Sequence, residues 1–79
     1  MTNTELKEIE NRCNLATKGP WKSMIEGRDH FCGAHFIMTG KEDIYISPFI
    51  QSDQDFIANA KQDIPKLIDE IKRLKTIQK

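Results

Sequence analysis

The last third of the chain carries an apolar stripe at helical spacing, and this stripe constrains the fold more than any other feature. Apolar side chains recur every three or four residues from Phe56 to Leu74, which is the period of one helical face. A chain of 79 residues has only a marginal core and little surface with which to cover such a face. We therefore predict a helical oligomerisation element over residues 52–78 and a homo-oligomeric protein. The predicted subunit contacts are Phe56, Ile57, Ala60, Ile64, Leu67, Ile68 and Ile71.

Pro65 interrupts this stripe. A proline inside a helix removes one backbone hydrogen bond and clashes with the preceding turn, at a cost of about 3 kcal/mol. Asp63 is well placed to cap a second helix with Pro65 in its first turn. The sequence therefore predicts a C-terminal amphipathic helix that is kinked or broken near Asp63.

The rest of the chain predicts an α+β fold in one domain covering residues 1–79. Apolar residues at spacings of three and four predict an N-terminal helix over residues 1–17, which Gly19-Pro20 ends. Residues 20–48 alternate between short β-prone runs and turn-forming residues. They predict a small antiparallel meander of three strands, and the candidate strands are residues 21–26, 35–39 and 44–47.

Charge and hydropathy exclude several classes of partner. Twelve basic and twelve acidic side chains cancel, whereas proteins that bind duplex nucleic acid usually carry a basic excess. The sequence contains no apolar run of the roughly 20 residues that a membrane helix needs, and its start lacks an apolar signal core. We expect no membrane partner, a cytoplasmic location, and free thiols at Cys13 and Cys32.

The polar stretch of residues 26–35 is the best candidate for chemistry. His30, Cys32 and His35 offer three metal ligands, with Cys13 as a distant fourth, but they lack the paired spacing of zinc sites. Asp29 and His30 are adjacent, so on an extended chain they point to opposite faces and do not form an oriented base. We predict no metal, no cofactor and no catalytic residue, with a small nucleotide hydrolase as the lesser alternative.

The same stretch favours binding of a small anionic nucleotide. Arg28 offers a planar, permanently charged fork that suits phosphate. Trp21 and Tyr45 offer rings on which a base can stack, and Asp29 and His30 can read its polar edges. The competing interpretation is that Trp21 is a core residue and Arg28 a solvated turn residue.

Two segments resemble elements of a known protein family. Residues 16–21 read A-T-K-G-P-W and resemble the A-T-x-G-P-W element near the start of small phage and prophage proteins labelled Ead-like. Residues 55–67 read D-F-I-A-N-A-K-Q-D-I-P-K-L and resemble the element that closes those proteins. Lys18 stands where a proline is common in the family, and Lys61 where an arginine is common.

The resemblance implies a phage accessory protein acting in the cytoplasm of the infected bacterial host, and it carries no assigned catalytic residues. Small phage proteins of this kind often disarm host defence, in some cases by sequestering a cyclic nucleotide or a cyclic ADP-ribose-type signal. We therefore expect a nucleotide-sequestering anti-defence protein that is not an enzyme. The alternative is an inhibitor or adaptor that grips a host protein through the C-terminal helix.

Overall fold

The computed structural model describes residues 1–77. This part of the chain forms two helices and two short strands along a body of 52 × 21 × 21 Å. The long dimension follows from the C-terminal helix, which alone spans about 40 Å. In chain order the elements are α1 (Asn3–Leu15), β1 (Lys22–Met24), β2 (Phe36–Met38) and α2 (Gln51–Ile77).

Helix α1 begins at a capping box. The Glu5 backbone N–H donates to Thr2 Oγ1 at 3.0 Å, and the Thr2 backbone N–H donates to Glu5 Oε1 at 2.9 Å. The two bonds satisfy donors that the first helical turn leaves unpaired. The helix ends at Leu15, inside the predicted range of residues 1–17, and Ala16 is already extended.

Helix α1 packs antiparallel against the second half of α2. At one end Lys75 Nζ donates to Asn3 Oδ1 at 2.6 Å, and at the other Lys61 Nζ donates to the Cys13 carbonyl at 2.7 Å. Leu6 and Ile68 are buried where the two helices meet the core. The chain between the helices, which carries both strands, therefore packs along the first half of α2.

The predicted three-stranded meander is wrong, although the chain does combine helices with an antiparallel sheet. Among residues 1–77 the sheet has two strands, with Ser23 of β1 opposite Ile37 of β2. The segment predicted as a third strand contributes one isolated bridge, in which Ile37 and Ile44 exchange backbone hydrogen bonds of 2.8 and 2.9 Å. The sheet accordingly has two strands of three residues each, in place of the three strands that the alternating sequence predicts.

Contacts beyond the bridge hold the following segment against the sheet. The ring of His35, just before β2, stacks on Phe49 at 4.0 Å, and its Nδ1 accepts from the Glu26 backbone N–H. Pro48 lacks a backbone donor and is unable to continue a ladder. The segment leading to α2 therefore folds over the sheet edge and does not extend the sheet.

Of the kinked or broken helix predicted near Asp63, the break is wrong, because α2 is one helix from Gln51 to Ile77 with Pro65 inside it. Pro65 faces α1 and borders Cys13 in a shallow depression. Ala58 before the proline and Ile68 after it are 0% and 4% exposed. Burial on both sides of Pro65 holds the helix in register, since packing contributes more to helix stability than local propensity does. The predicted end at residue 78 lies outside the described residues.

Among residues 1–77, one polar side chain of the core is fully buried. Gln54 is 0% exposed, and its Nε2 donates to Ser23 Oγ at 3.0 Å, to the Phe36 carbonyl at 3.1 Å and to the Met24 carbonyl at 3.3 Å. The side chain thus joins α2 to both strands beside the buried Ile37. Removing a buried amide of this kind lowers the free energy of unfolding, because its hydrogen-bond partners remain buried without a replacement partner.

We predict that Gln54→Ala lowers the free energy of unfolding by about 1–3 kcal/mol, because carbonyl oxygens of both strands lose their donor in the core. Urea denaturation followed by circular dichroism measures this change. Gln51→Ala, an exposed substitution at the start of the same helix, is the matched control. Equal stability of the two variants would contradict the prediction.

Candidate functional site

Arg28, the residue predicted to anchor a phosphate, is held by two carboxylates. Its Nη1 and Nη2 donate to the two carboxylate oxygens of Asp55 at 2.9 and 3.1 Å. Its Nε donates to Asp29 Oδ2 at 2.8 Å, and Nη2 also reaches the Ser23 carbonyl at 3.3 Å. The guanidinium therefore clamps the turn after β1 to α2.

The electrostatics of this clamp oppose anion binding at Arg28. Hydrogen bonding to Arg28 lowers the pKa of the Asp55 carboxyl below its ordinary value, and the same bonds raise the pKa of the arginine. The three side chains carry a net negative charge when both carboxylates are ionised. A phosphate at Arg28 has to displace Asp55 from a bidentate pair, which is among the stronger charged contacts in proteins.

The remaining predicted ligand residues fall into two places. Asp29 Oδ2 accepts from the Ile25 backbone N–H at 2.8 Å, and His30 lies 5.1 Å from the Phe36 ring. Tyr45 is 66% exposed with its ring 6.0 Å from the same Phe36 ring. Arg28, Asp29, His30 and Tyr45 therefore cluster on the sheet side of the molecule.

Trp21 lies apart from that cluster, at the junction of α1 and α2. Its backbone N–H donates to Gln62 Oε1 at 2.8 Å, its carbonyl accepts from Gln62 Nε2 at 3.0 Å, and its indole Nε1 donates to the Thr17 carbonyl at 2.9 Å. A Cβ atom added to Gly19 would lie 3.4 Å from Lys61 Cγ. The two segments that resemble the Ead-like elements thus pack directly against each other.

An open groove of about 340 Å³ lies beside this junction, between α1 and α2, and is called here the Trp21 groove. Helix α1 supplies three residues, continued by Ala16 just after it, and α2 supplies four; both sets are spaced i, i+3, i+4 and i+7. Trp21 closes one end. The lining residues are Ile9, Arg12, Cys13, Ala16, Trp21, Ile57, Ala60, Lys61 and Ile64.

The charged side chains of the Trp21 groove are both cationic. Lys61 Nζ lies 5.7 Å from the centre of the Trp21 ring, within the range of a cation–π contact. Arg12, in the last turn of α1, is the second cation. Within residues 1–77, no carboxylate lines the groove. An apolar floor, an aromatic ring and two cations suit an anionic aromatic molecule.

A larger cavity of about 480 Å³ lies at the other end of α1 but has mixed charge. Lys72 Nζ and Glu10 Oε2, both in its lining, form an ion pair of 2.8 Å across it. Lys75 is bonded to Asn3 in the same lining. Two of its three lysines are thus partnered and Glu10 adds a negative charge, so this cavity is a weaker candidate for an anionic ligand.

The second candidate surface is the exposed part of the α2 stripe. Phe56 and Leu67 are 75% and 62% exposed, and Ile57, Ile64 and Leu74 are partly exposed. Ile68, predicted as a subunit contact, instead belongs to the core of the single chain, while Ala60 and Ile71 are half-buried. Apolar patches of this extent on a small protein mark interaction sites.

Comparison with known proteins adds no information on function. The chain matches no protein-family model, no curated protein and no solved structure. Neither helix in the part of the chain that the structure describes is long and apolar enough to cross a membrane. Function is therefore inferred from the geometry of the described residues.

The Arg28–Asp55 pair predicts a pH dependence of stability. The pKa of Asp55 is lower in the folded chain than in the unfolded one, so its contribution is present above the unfolded pKa of about 3.9 and is lost as the pH falls through the folded pKa. Asp55→Asn should remove this contribution and flatten the loss of stability below about pH 4. Urea denaturation at a series of pH values measures it, with the exposed Asp53→Asn as control. An unchanged acid profile in Asp55→Asn would contradict the prediction.

Proposed function

We propose that this protein is a phage accessory protein that captures a small anionic nucleotide in the Trp21 groove and withholds it from a host immune effector. The observation that carries the proposal is the composition of the groove, which pairs the Trp21 ring with Arg12 and Lys61 and has no carboxylate among its described lining residues. The resemblance to Ead-like phage proteins supports the biological setting, the cytoplasm of an infected bacterium.

The physical basis of binding is stacking combined with charge. A base stacked on an aromatic ring gains roughly 1–3 kcal/mol and does so with little dependence on sequence. Arg12 and Lys61 supply the positive charge that phosphate groups require. The groove volume of about 340 Å³ lies within the range of small-molecule sites. These features suit a cyclic nucleotide or a cyclic ADP-ribose-type signal.

The residues that line the Trp21 groove favour sequestration of the nucleotide over its hydrolysis. Cys13 is the nucleophile in the lining, and the lining residues within positions 1–77 include no histidine or carboxylate to act as its base. A bound nucleotide is then held and released unchanged. The protein acts by lowering the free concentration of the signal.

We predict that a cyclic nucleotide or cyclic ADP-ribose-type compound quenches the fluorescence of Trp21, the single tryptophan of the chain. Arg12→Ala and Lys61→Ala should each weaken binding roughly tenfold or more, because each removes one phosphate contact. Isothermal titration calorimetry gives the affinities, and Lys66→Ala, an exposed cation elsewhere on α2, is the control.

Absence of binding to every member of a nucleotide panel at tens of micromolar would overturn this proposal. Equal weakening of nucleotide binding by Lys66→Ala would indicate a general effect of positive charge. It would count against binding in the Trp21 groove. After binding, the compound should be recovered intact once the protein is denatured. Recovery of a cleaved product would replace sequestration by hydrolysis.

The exposed α2 stripe supports self-association as part of this function. The first half of α2 carries three acidic residues and one lysine, and the second half carries four basic and two acidic residues. An antiparallel second copy therefore places unlike halves together and covers the same stripe on both chains. Because Ile57 and Ile64 belong to both stripe and groove, a second copy would border the ligand.

We predict that Phe56→Ser combined with Leu67→Ser converts an oligomer into a monomer, since both side chains are mostly exposed in the single chain and lose apolar contact only between chains. Light scattering coupled to size-exclusion chromatography measures the mass. Leu15→Ser, at an exposed apolar residue of α1, should leave the mass unchanged.

A monomeric parent protein at high concentration would contradict the self-association of α2. That result would favour the second candidate function, in which the exposed stripe grips a host protein and the phage protein acts as an inhibitor or adaptor. The observation in favour of this candidate is the same exposure of Phe56 and Leu67.

A further inference from the structure

We propose that Glu26, His30 and Cys32 form a zinc-binding site in the turn between β1 and β2. One ligand atom from each side chain lies within 4.8 Å of the other two. The site lies on the sheet side of the molecule, away from the Trp21 groove, and does not depend on the function proposed for that groove.

The backbone of the turn brings these three side chains together. The Ile25 carbonyl accepts from the N–H groups of Arg28 and Asp29 at 3.1 and 2.9 Å. Gly27, with a φ of +83° that disfavours any side chain, donates to the His30 carbonyl at 2.8 Å. Glu26 and His30 are thereby held side by side as a bridge pair.

The facing atoms of Glu26 and His30 are both acceptors. His30 Nδ1 accepts from the Cys32 backbone N–H at 3.1 Å, and Glu26 Oε2 accepts from the Gly33 backbone N–H at 2.6 Å. These two atoms are 3.5 Å apart. The two atoms are close enough for one cation to contact both, once the cation replaces the Cys32 N–H at His30 Nδ1.

A metal at His30 Nδ1 takes the place of the hydrogen bond from the Cys32 backbone N–H, because an imidazole nitrogen has one lone pair. Nε2 is buried and has no hydrogen-bond partner within residues 1–77. The ring is packed beside Phe36, which fixes its orientation.

The ligand set selects zinc over harder cations. Thiolate, imidazole and carboxylate are the three zinc ligand types, with bonds of about 2.0–2.3 Å, whereas magnesium and calcium prefer oxygen alone. Cys32 is exposed and Glu26 half-buried, and the three ligand atoms, which lie within 4.8 Å of one another, reach one metal only after their side chains rotate. Three protein ligands leave the fourth tetrahedral position to a water molecule.

The sequence offered His30, Cys32 and His35 as possible ligands and predicted no metal, whereas the fold places Glu26 beside His30 and Cys32. The ring of His35 is instead stacked on Phe49, and its Nδ1 accepts from the Glu26 backbone N–H. Spacing along the chain could not reveal this exchange, because it depends on the turn at Gly27.

The test is titration of the reduced, metal-free protein with Zn²⁺ by calorimetry and with Co²⁺ by absorption spectroscopy. We expect one ion per chain and a thiolate-to-cobalt charge-transfer band, which only a sulfur ligand produces. Cys32→Ser should abolish the band, and Glu26→Gln and His30→Gln should each weaken Zn²⁺ binding more than tenfold. Cys13→Ser is the matched control and should retain both the band and the affinity.

Three results would overturn the site. They are no Zn²⁺ binding at tens of micromolar, a cobalt spectrum without the charge-transfer band, and loss of the band in Cys13→Ser with its retention in Cys32→Ser. Circular dichroism of each variant in the absence of metal separates loss of a ligand from loss of fold. A variant that unfolds is replaced by Cys32→Ala, whose exposed side chain makes no core contact.

Discussion

Gln54 and Gln62 lie about two turns apart on α2, and their side-chain amides fasten the rest of the chain to that helix. Gln54 bonds to carbonyl groups of both strands from inside the core, and Gln62 bonds to the backbone N–H and carbonyl of Trp21. Backbone groups of an irregular segment need partners when water is excluded. These two amides supply them, so the sheet and the Gly-Pro-Trp segment take their positions from α2.

Once α2 is fixed, both candidate sites follow from it. The Trp21 groove exists because Gln62 and Lys61 hold the Trp21 segment beside α1. The zinc-binding turn is anchored from the other side, where Asp55 at the start of α2 clamps Arg28. Arg28 therefore serves the neighbouring turn as a structural residue. The two candidate sites are therefore separate. The aromatic, cationic groove and the turn that carries carboxylate and thiol groups are each attached to a different part of α2.

Periodicity predicted the positions of the helices but not the contacts that decide the sites. The apolar spacing near Leu6 and along α2 is a local property, and it located both helices to within a few residues. The segment after the single bridge at Ile44 is held by the His35–Phe49 stack. The helix continues through Pro65 between the buried Ala58 and Ile68. Tertiary contacts of this kind override local preference and leave no periodic signal.

The candidate site shows the same limit more sharply. The sequence predicted Arg28 as a free phosphate-binding residue because its partner Asp55 is 27 residues away along the chain. Arg12 and Lys61 were missed, although each sits in an i, i+3, i+4, i+7 pattern on its helix, which is a signal that the sequence carried. Nuclear magnetic resonance of the labelled protein, titrated with a cyclic nucleotide panel, tests directly whether the Trp21 groove binds a nucleotide. Binding in the groove shifts the signals of Arg12, the Trp21 indole N–H and Lys61 most. Shifts concentrated at Arg28, His30 and Tyr45, or no shifts with any compound, would contradict it.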